Sequence, residues 1–309
     1  MHSILQTSEW GDFKASTGDW FYFKAGTFLV LAKKLPYFNR YFFYIPEPFS
    51  HNWQGSLEEL NENLKPFIKK YKPIFVRIEP LELYSEELKT TFEKNNWVRA
   101  FEDIQPSYRQ WIDLKPSTEE ILMNMKPKGR YNIKVAQKHE IQINKIEKED
   151  LESNLKTFHE LMKSTAKRDQ FSIRPFSYFL KLTKTLYDYD IGTLYIGYHQ
   201  NKPICGEIVS FYNKIASYLY GVSGNEMRQA MAPYLMHWTI MQDAKAKGIE
   251  IYDLLAVAPV ENENHKHAKL SQFKRQFGGK TIELIGGWDM VLSSFTYNAF
   301  KLVEKMRRK

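Results

Sequence analysis

Cysteine is almost absent from this sequence, with Cys205 the only one among 309 residues. A single thiol cannot form an internal disulfide, and a chain without disulfides suits the reducing cytoplasm. Cys205 lies in the strand-like stretch PICGEIVSF, where a packed thiol is expected rather than a nucleophile. The cysteine content therefore predicts a cytoplasmic protein.

Long hydrophobic runs are also missing. No stretch approaches the roughly 18 apolar residues of a membrane helix, and the opening residues, MHSILQTSEWGDFK, lack the basic start and apolar run of a signal peptide. We therefore expect a soluble protein. A peripheral contact with the inner membrane face stays open, because the C-terminal EKMRRK is basic.

Several motifs of catalytic chemistry are absent. The sequence contains no HExxH or CxxC pattern, and HKH at 265–267 only places two histidines in a polar loop. It has no G-x-S-x-G nucleophile elbow, and GGK at 278–280 lacks the spacing of a phosphate-binding loop. We expect neither a metal nor a cofactor.

Aromatic and basic residues are plentiful. Hydrophobic residues make up 43% of the chain and aromatic residues 15%, which predicts a well-filled core. The formal charge is +8 and the pI about 9.1. This balance favours anionic partners, namely nucleic acid, nucleotide-linked substrates or an acidic membrane face.

An order of three strands, a helix and a strand occurs twice, in residues 20–80 and 193–257. Alternating apolar residues and Asn, Gly and Pro turn signals support each strand. Helices are expected between the copies at 118–139, broken near Pro127, and at 149–168 and 175–188. The sequence thus predicts two α/β domains of like design.

The doubled order resembles the GNAT acyltransferase fold, which implies two tandem GNAT-like domains with mixed sheets (α/β, of the α+β kind). CoA-dependent members of that fold cradle a pyrophosphate on backbone N–H groups of a glycine-containing loop before the central helix. Here MRQAMAPYL keeps Arg228 and Ala232, but Ala230 and Met231 stand where a glycine would be. This disfavours CoA as the acyl donor.

Lys274 stands between Phe273 and Phe277 in a segment that otherwise reads as core. A lysine is almost never buried without a partner, so an anion or a developing negative charge is expected beside it. The option that we favour is a lysine poised over the oxyanion of an acyl transfer. Gly278 and Gly279, which follow, allow a close approach of the backbone.

Other charged residues are candidates for binding a ligand, and each also has a structural or solvent-exposed alternative. Arg130, Lys134 and Lys138 fall at i, i+4 and i+8, which predicts either an anion-binding face or a solvated basic one. Arg174 precedes a predicted helix start and Tyr178 follows one turn on, which suits a phosphate clamp with a stacking ring, or a surface salt bridge. Two acids end strands that follow helices and are candidates either for ligand binding or for a structural pair: Glu79 and Asp253.

Six segments in order resemble the FemABX family of peptidyltransferases, which use aminoacyl-tRNA. They are SEWGDFK, YRQWIDL, KGRYNIKVAQK, IRPFSYF, MAPYLMHW with AKAKGIEIYDL, and LSQFKRQFGG with IGGWDMV. The sequence is similar to the short members, because it has no heptad insertion for a coiled-coil arm. The resemblance implies one domain of residues 1–108 with 286–309 on the acceptor side. It implies a second domain, residues 109–285, for aminoacyl-tRNA and catalysis.

The resemblance also implies roles for residues. Lys14 and Arg174 would hold the acceptor's phosphates, and Lys274 would act in catalysis beside the aminoacyl ester. Ser172, Tyr178 and Tyr220 would line the acceptor cleft, with Glu79 near it. The tRNA would contact the cations of the basic segments: Arg130, Lys134, Lys138 and Arg275.

The function that the resemblance implies is transfer of glycine, alanine or serine from aminoacyl-tRNA to the side-chain amine of residue 3 of the peptidoglycan pentapeptide. The acceptor would be UDP-MurNAc-pentapeptide or lipid II, and a monomer is expected. The resemblance further implies substrate-assisted proton transfer. Two alternatives are an N-acyltransferase that uses acyl-CoA or an acyl carrier protein, and a basic RNA-binding module without activity.

Overall fold

The computed structural model of the protein describes residues 3–35, 38–260 and 268–307. Contacts divide the chain into two compact units. Unit 1 is Met1–Ser107 with Glu283–Lys309, and unit 2 is Tyr108–Ile282. The boundaries expected from the sequence, 108/109 and 285/286, lie one and three residues from these divisions.

Both units contain strands and helices. The strands are β1 (Trp20–Ala25), β2 (Phe28–Leu35), β3 (Arg40–Pro46), β4 (Phe75–Glu79), β5 (Val98–Arg99), β6 (Tyr108–Asp113), β7 (Gln142–Lys145), β8 (Gly192–His199), β9 (Lys202–Tyr212), β10 (Ile215–Ser223), β11 (Ile251–Ala256), β12 (Lys280–Glu283) and β13 (Trp288–Val291). The α-helices are α1 (Ser8–Ser16), α2 (Trp53–Tyr71), α3 (Glu86–Lys94), α4 (Thr118–Asn124), α5 (Pro127–Lys138), α6 (Leu151–Asp169), α7 (Phe176–Asp188), α8 (Ala232–Ala246), α9 (Ala268–Lys274) and α10 (Ser294–Arg307).

Each unit is built on a mixed sheet. The order in unit 1 is β1-β2-β3-β4-β13-β5, and the order in unit 2 is β12-β6-β11-β10-β9-β8-β7. Both sheets contain a parallel pair, β3 with β4 and β10 with β11, reached by a crossover through α2 or α8. The predicted duplication, and with it the α/β fold class, is confirmed.

The C-terminal segment returns to unit 1, as the family resemblance implied. Its strand β13 pairs with β4 on one side and β5 on the other, antiparallel to both. Helix α10 follows and packs Tyr297 and Phe300 over Phe42 and Phe75. The other face of the same sheet packs against α2. Because both faces are covered, β2 is a nearly continuous apolar run rather than an alternating one.

The helices of unit 2 begin where the sequence signals predict. Ser117 and Glu120 form a reciprocal capping box at the start of α4. The chain then breaks at Met125 and restarts with Pro127 in the first turn of α5. A proline lacks the N–H that a helix interior needs, whereas the first turn leaves that group unused. The predicted break near Pro127 is confirmed.

A buried ion pair joins the returning segment to unit 1. Arg77 on β4 donates from Nε and Nη2 to the two carboxylate oxygens of Asp289 on β13, at 2.7 and 2.8 Å. Tyr297 donates to Asp289 Oδ2 at 2.6 Å. The side chains of the pair are 2% and 0% exposed. Breaking such a pair leaves an uncompensated charge in the interior.

Asp289→Asn should therefore destabilise the protein by about 3 kcal/mol, because Arg77 keeps its charge without a counter-ion. Urea unfolding followed by tryptophan fluorescence measures the change. Glu86→Gln, which removes an exposed pair with Lys89, is the control and should leave the midpoint unchanged. Equal midpoints for Asp289→Asn and the wild type would contradict this role of the ion pair.

Candidate active site

The parallel strands β10 and β11 separate part-way along their length. They pair at three positions, the last being Ser217 with Asp253, whereas β10 continues to Ser223 and β11 to Ala256. Both strands are irregular beyond that point, and Leu255 has a φ of 55°. An opening between strands at their carboxyl ends is where α/β sheets bind ligands.

Lys274 lies in this opening and contacts both of its walls. Its Nζ donates to the Ala256 carbonyl oxygen of β11 at 2.7 Å and stands 5.5 Å from the ring centroid of Tyr218 on β10. The residue is 3% exposed. An ammonium has three N–H donors, and among the described residues only the Ala256 carbonyl accepts from one.

Burial lowers the pKa of Lys274 to about 8, although the charges of Asp253 and Glu207 act in the opposite direction. Most of the side chains are therefore still cationic at neutral pH, but the ammonium is poorly compensated. A negative charge that develops beside it would be stabilised strongly, since the surroundings are of low dielectric.

A buried polar cluster packs beneath Lys274. His237 Nδ1 lies 2.8 Å from the hydroxyl of Tyr252, and that hydroxyl lies 3.4 Å from Glu207 Oε2. Burial raises the pKa of Glu207 well above its usual value. Burial and the Lys274 charge lower the pKa of His237 to about 3. Because His237 is then a neutral imidazole at pH 7, the 3.3 Å approach of its Nε2 to Glu207 Oε1 is not an ion pair.

Asp253 holds the irregular part of β11 in place. Its Oδ1 accepts from the Leu255 N–H at 2.7 Å and its Oδ2 accepts from Arg109 Nη1 at 3.0 Å. Arg109 and Asp253 are both buried. Of the two roles open to this acid from the sequence, the structure shows the structural pair.

An irregularity in β10 sends two tyrosines to opposite faces of the sheet. Tyr218 lies opposite Val209 of β9, whereas Tyr220 lies opposite the adjacent residue Ile208. One extra residue in a strand shifts the alternation of its side chains. Tyr218 therefore packs on His237, with ring centroids 5.0 Å apart, and Tyr220 packs on Phe179 of α7, also at 5.0 Å.

Residues near the start of α7 gather around Tyr220. The hydroxyls of Tyr178 and Tyr220 are 3.2 Å apart, and the Arg174 guanidinium lies over the Tyr178 ring at 5.5 Å. Burial, with Tyr178 close by, raises the pKa of Tyr220. Ser172 and Arg174 are exposed. An exposed guanidinium over the ring of one of these two tyrosines can bind a phosphate or another anion.

A cavity of about 160 Å³ lies at the N-terminus of α8. Its walls include Arg228, Tyr234 and Phe273, the residue before Lys274. The preceding turn, Arg228–Ala230, is flanked by Met227 and Met231, both with a φ of 55°. Within it the N–H groups of Ala230 and Met231 donate to carbonyls of the same turn. These two groups are thus not available as a phosphate cradle.

The model of the FemAB family matches residues 97–198 and 194–305, more than half of the chain. The chain belongs to the FemAB family. Relatives called lipid II:glycine glycyltransferase, from Staphylococcus epidermidis and Staphylococcus aureus, are 23% and 22% identical over 98% of this chain and 91% of theirs. Their alignments span 385 and 390 positions, so these relatives have segments that this chain lacks.

Solved structures support the fold of a FemAB protein. The crystal structure of FemX matches with a TM-score of 0.86 at 20% identity, over 96% of this chain and 94% of FemX. The C-terminal domain of a putative lysylphosphatidylglycerol synthetase from Agrobacterium fabrum matches with a TM-score of 0.60 at 10% identity, over 92% and 88%. At these identities the likeness shows the fold alone.

The structure of this FemAB protein brings some of the expected site residues together in unit 2, whereas others belong to unit 1. Unit 2 brings Arg174, Tyr178 and Tyr220 together, with Lys274 on the other face of β10. Lys14 belongs to unit 1, where its Nζ lies 4.9 Å from the Trp20 ring centroid. The histidines of HKH lie outside the described residues.

Glu79 is buried within unit 1. Its carboxylate accepts from the Tyr44 hydroxyl at 2.6 Å and from the N–H groups of Ile104 and Gln105 at 2.5 and 2.8 Å. Burial raises the pKa of Glu79 to about 7. These contacts fasten the 104–105 segment to β4. The expectation that Glu79 contacts a substrate finds no support in this placement.

Two of the four cations expected to face tRNA are turned toward backbone instead. Arg130 donates to the carbonyls of Met123 and Met125 at the end of α4. Arg275 donates to the Ala258 carbonyl at 2.5 Å. Lys134 and Lys138 remain exposed on α5. Of the three cations expected to form an anion-binding face on this helix, Lys134 and Lys138 are the ones exposed to solvent.

Glu207 and His237 were not candidates from the sequence, although both border Lys274. Single polar residues in an apolar strand and an apolar helix usually reflect ordinary core packing. Glu207 on β9 points to the face of the sheet against which α8 packs His237. This shared location could have identified both residues, but it becomes apparent only when the sheet order is known.

Lys274→Met should stabilise the protein at pH 7. The pKa of the lysine falls from an ordinary 10.5 to about 8 in the folded state, so folding below pH 8 carries the full cost of burying the charge. This cost disappears as the pH rises past 10.5, where both states are neutral. The variant should gain up to about 3 kcal/mol at pH 7, and much less near pH 10.

Urea unfolding at the two pH values measures the gain. Lys269→Met, on the exposed side of the same helix, is the matched control and should show no pH-dependent gain. A Lys274→Met variant as stable as the wild type at both pH values would show that burying the ammonium carries no such cost.

Proposed function

We propose that this aminoacyltransferase moves an amino acid from aminoacyl-tRNA to the side-chain amine of residue 3 of the peptidoglycan pentapeptide precursor. The observation that carries the proposal is the under-compensated ammonium of Lys274 in the opening between β10 and β11. The named relatives act on lipid II with glycine, which supports a peptidoglycan acceptor and a small amino acid such as glycine, alanine or serine.

The proposed reaction needs little from the protein besides positioning and charge. The acceptor amine attacks the ester carbonyl of the aminoacyl-tRNA and forms a C–N bond. The ester C–O bond breaks, and the proton lost by the amine passes to the 3′-oxygen of the tRNA. Since the ester is already activated, the step requires neither ATP nor a redox partner. The amine has a lysine-like pKa near 10 and is an ammonium at neutral pH, so a first proton must pass to solvent before the nitrogen can attack. The proton that passes to the 3′-oxygen is the second one.

Lys274 would stabilise the oxyanion that forms on the ester carbonyl. Its remaining N–H donors can point at that oxygen, and burial makes such a contact worth roughly 10²–10³ in rate. The raised pKa of Glu207 supports this role, because burial disfavours the ionised carboxylate that would otherwise compensate the ammonium before the reaction begins.

The two faces of β10 would receive the two substrates. The Arg174, Tyr178 and Tyr220 group suits the phosphates and polar groups of the acceptor. The cavity before α8, next to Phe273, suits the aminoacyl end of the donor. Acyl-CoA is the less favoured donor, because the N–H groups of Ala230 and Met231 are already used within their turn.

The direct test is a transfer assay with purified protein, tRNA charged with labelled amino acids, and either UDP-MurNAc-pentapeptide or lipid II. Label should enter the precursor, and RNase added before the enzyme should abolish this. Lys274→Met should reduce the rate at least about 100-fold, because the oxyanion contact is lost. Transfer from acyl-CoA but not from tRNA would overturn the proposed donor, and a Lys274→Met variant of wild-type rate would overturn the oxyanion role.

Arg174→Ala should weaken binding of the acceptor more than binding of the tRNA. Loss of a charge-assisted phosphate contact predicts a KM for the acceptor at least about tenfold higher, with the KM for charged tRNA nearly unchanged. Initial rates measured while each substrate is varied separate the two. Lys184→Ala, exposed on α7, is the control. An equal rise of both KM values would indicate a structural role for Arg174.

A further inference from the structure

Helix α10 exposes an apolar stripe on the side away from the core. Phe295, Leu302 and Met306 are 85%, 61% and 68% exposed. With the half-buried Ala299 they recur at intervals of four, three and four residues, which places them on one face of a helix. We call these four residues the α10 stripe.

The α10 stripe is distinct from the face that holds the helix to unit 1. That inner face packs Tyr297 and Phe300, which are 5% and 9% exposed, into the core. Single exposed apolar residues are ordinary on protein surfaces. Three large ones in register on a helix that already has a buried apolar face make an interaction surface.

Basic side chains border the stripe. Lys305 is exposed on the flank of the helix, and Lys301 lies one turn before it. Lys301 is half-buried, with its Nζ 4.8 Å from the Tyr297 ring centroid. Within residues 294–306 the acidic residue is Glu304, against Lys301 and Lys305. A helix with an apolar stripe and a basic flank matches the pattern of helices that lie in the surface of an anionic bilayer.

We propose that α10 binds the surface of an anionic phospholipid membrane through the α10 stripe, with Lys301 and Lys305 among the headgroups. Three large side chains bury too little area for a stable dimer, which disfavours a second copy of this chain as the occupant. The significance of the contact rests on the proposed function, since it would bring the enzyme to a lipid-linked acceptor. The binding itself does not depend on transfer activity.

The test is co-sedimentation of the full-length protein with vesicles. Equal parts of phosphatidylglycerol and phosphatidylcholine form the anionic vesicles, and phosphatidylcholine alone forms the neutral ones. The wild type should sediment with the anionic vesicles and much less with the neutral ones. The triple variant Phe295→Ser, Leu302→Ser, Met306→Ser should bind the anionic vesicles at least about tenfold more weakly, because it loses the apolar area that inserts.

Two matched controls distinguish binding through the α10 stripe from nonspecific binding by other exposed apolar residues or by other lysines. Met123→Ser with Tyr131→Ser removes two side chains that are 65% and 66% exposed in unit 2, and should bind like the wild type. Lys301→Gln with Lys305→Gln should weaken anionic binding, whereas Lys65→Gln with Lys69→Gln, on α2, should weaken it less. Thermal unfolding of each variant shows that the fold is retained.

Undiminished vesicle binding by the triple variant would overturn the proposal. A wild type that is dimeric by light scattering, with a triple variant that is monomeric, would overturn it in favour of a second copy. Transfer to UDP-MurNAc-pentapeptide should be equal in the wild type and the triple variant. Vesicle binding without any transfer would refute the proposed function alone, and transfer without vesicle binding would refute only the membrane contact.

Discussion

The buried ammonium of Lys274 is the constraint on which the rest of unit 2 depends. A cation with a single carbonyl acceptor among the described residues is unfavourable in the folded state, so the surrounding structure must hold it there. Asp253 does part of this by fixing the irregular end of β11, and Arg109 in turn fixes Asp253. Glu207 and His237 fill the space beneath, and burial shifts the pKa of each towards its neutral form. The site is thereby left responsive to a charge that appears only during a reaction.

The segment that carries Lys274 is clamped from two sides by close backbone contacts. Gly279 has a φ of 73°, and a Cβ there would lie 2.1 Å from the Trp111 carbonyl oxygen of β6. On the other side, a Cβ on Gly129 of α5 would lie 2.4 Å from the Gln276 carbonyl oxygen. Side chains at either position would push the segment away. These glycines therefore help to position the segment that carries Lys274, and the close backbone approach expected of Gly278 and Gly279 is present.

Much of the fold could be read from the sequence because its signals are local. Strand alternation, turn residues and Pro127 are properties of neighbouring positions, and Lys274 stood out because two phenylalanines flank it. Contacts that depend on where a side chain points in the folded protein could not be predicted in this way. Arg130 and Arg275 lie in basic segments typical of an RNA-binding face, but both donate to backbone carbonyls. A sequence does not show which carbonyls will accept from a given side chain. Likewise, the sequence shows Glu79 only as an acid at the end of a strand, whereas the structure shows three donors around its carboxylate.

The irregularity between Tyr218 and Tyr220 links the two candidate subsites through one strand. In a regular strand these residues would share a face, and both would point at Lys274 or both at Tyr178. The extra residue turns them apart, so β10 lines the lysine with one tyrosine and the Arg174 group with the other. At this level β10 and β11 no longer pair, so no backbone hydrogen bond between these two strands separates the two groups. In the proposed function, the acceptor amine on the Arg174 side would meet the ester on the Lys274 side at this level, and the bulge in β10 is what sets the two groups on opposite faces.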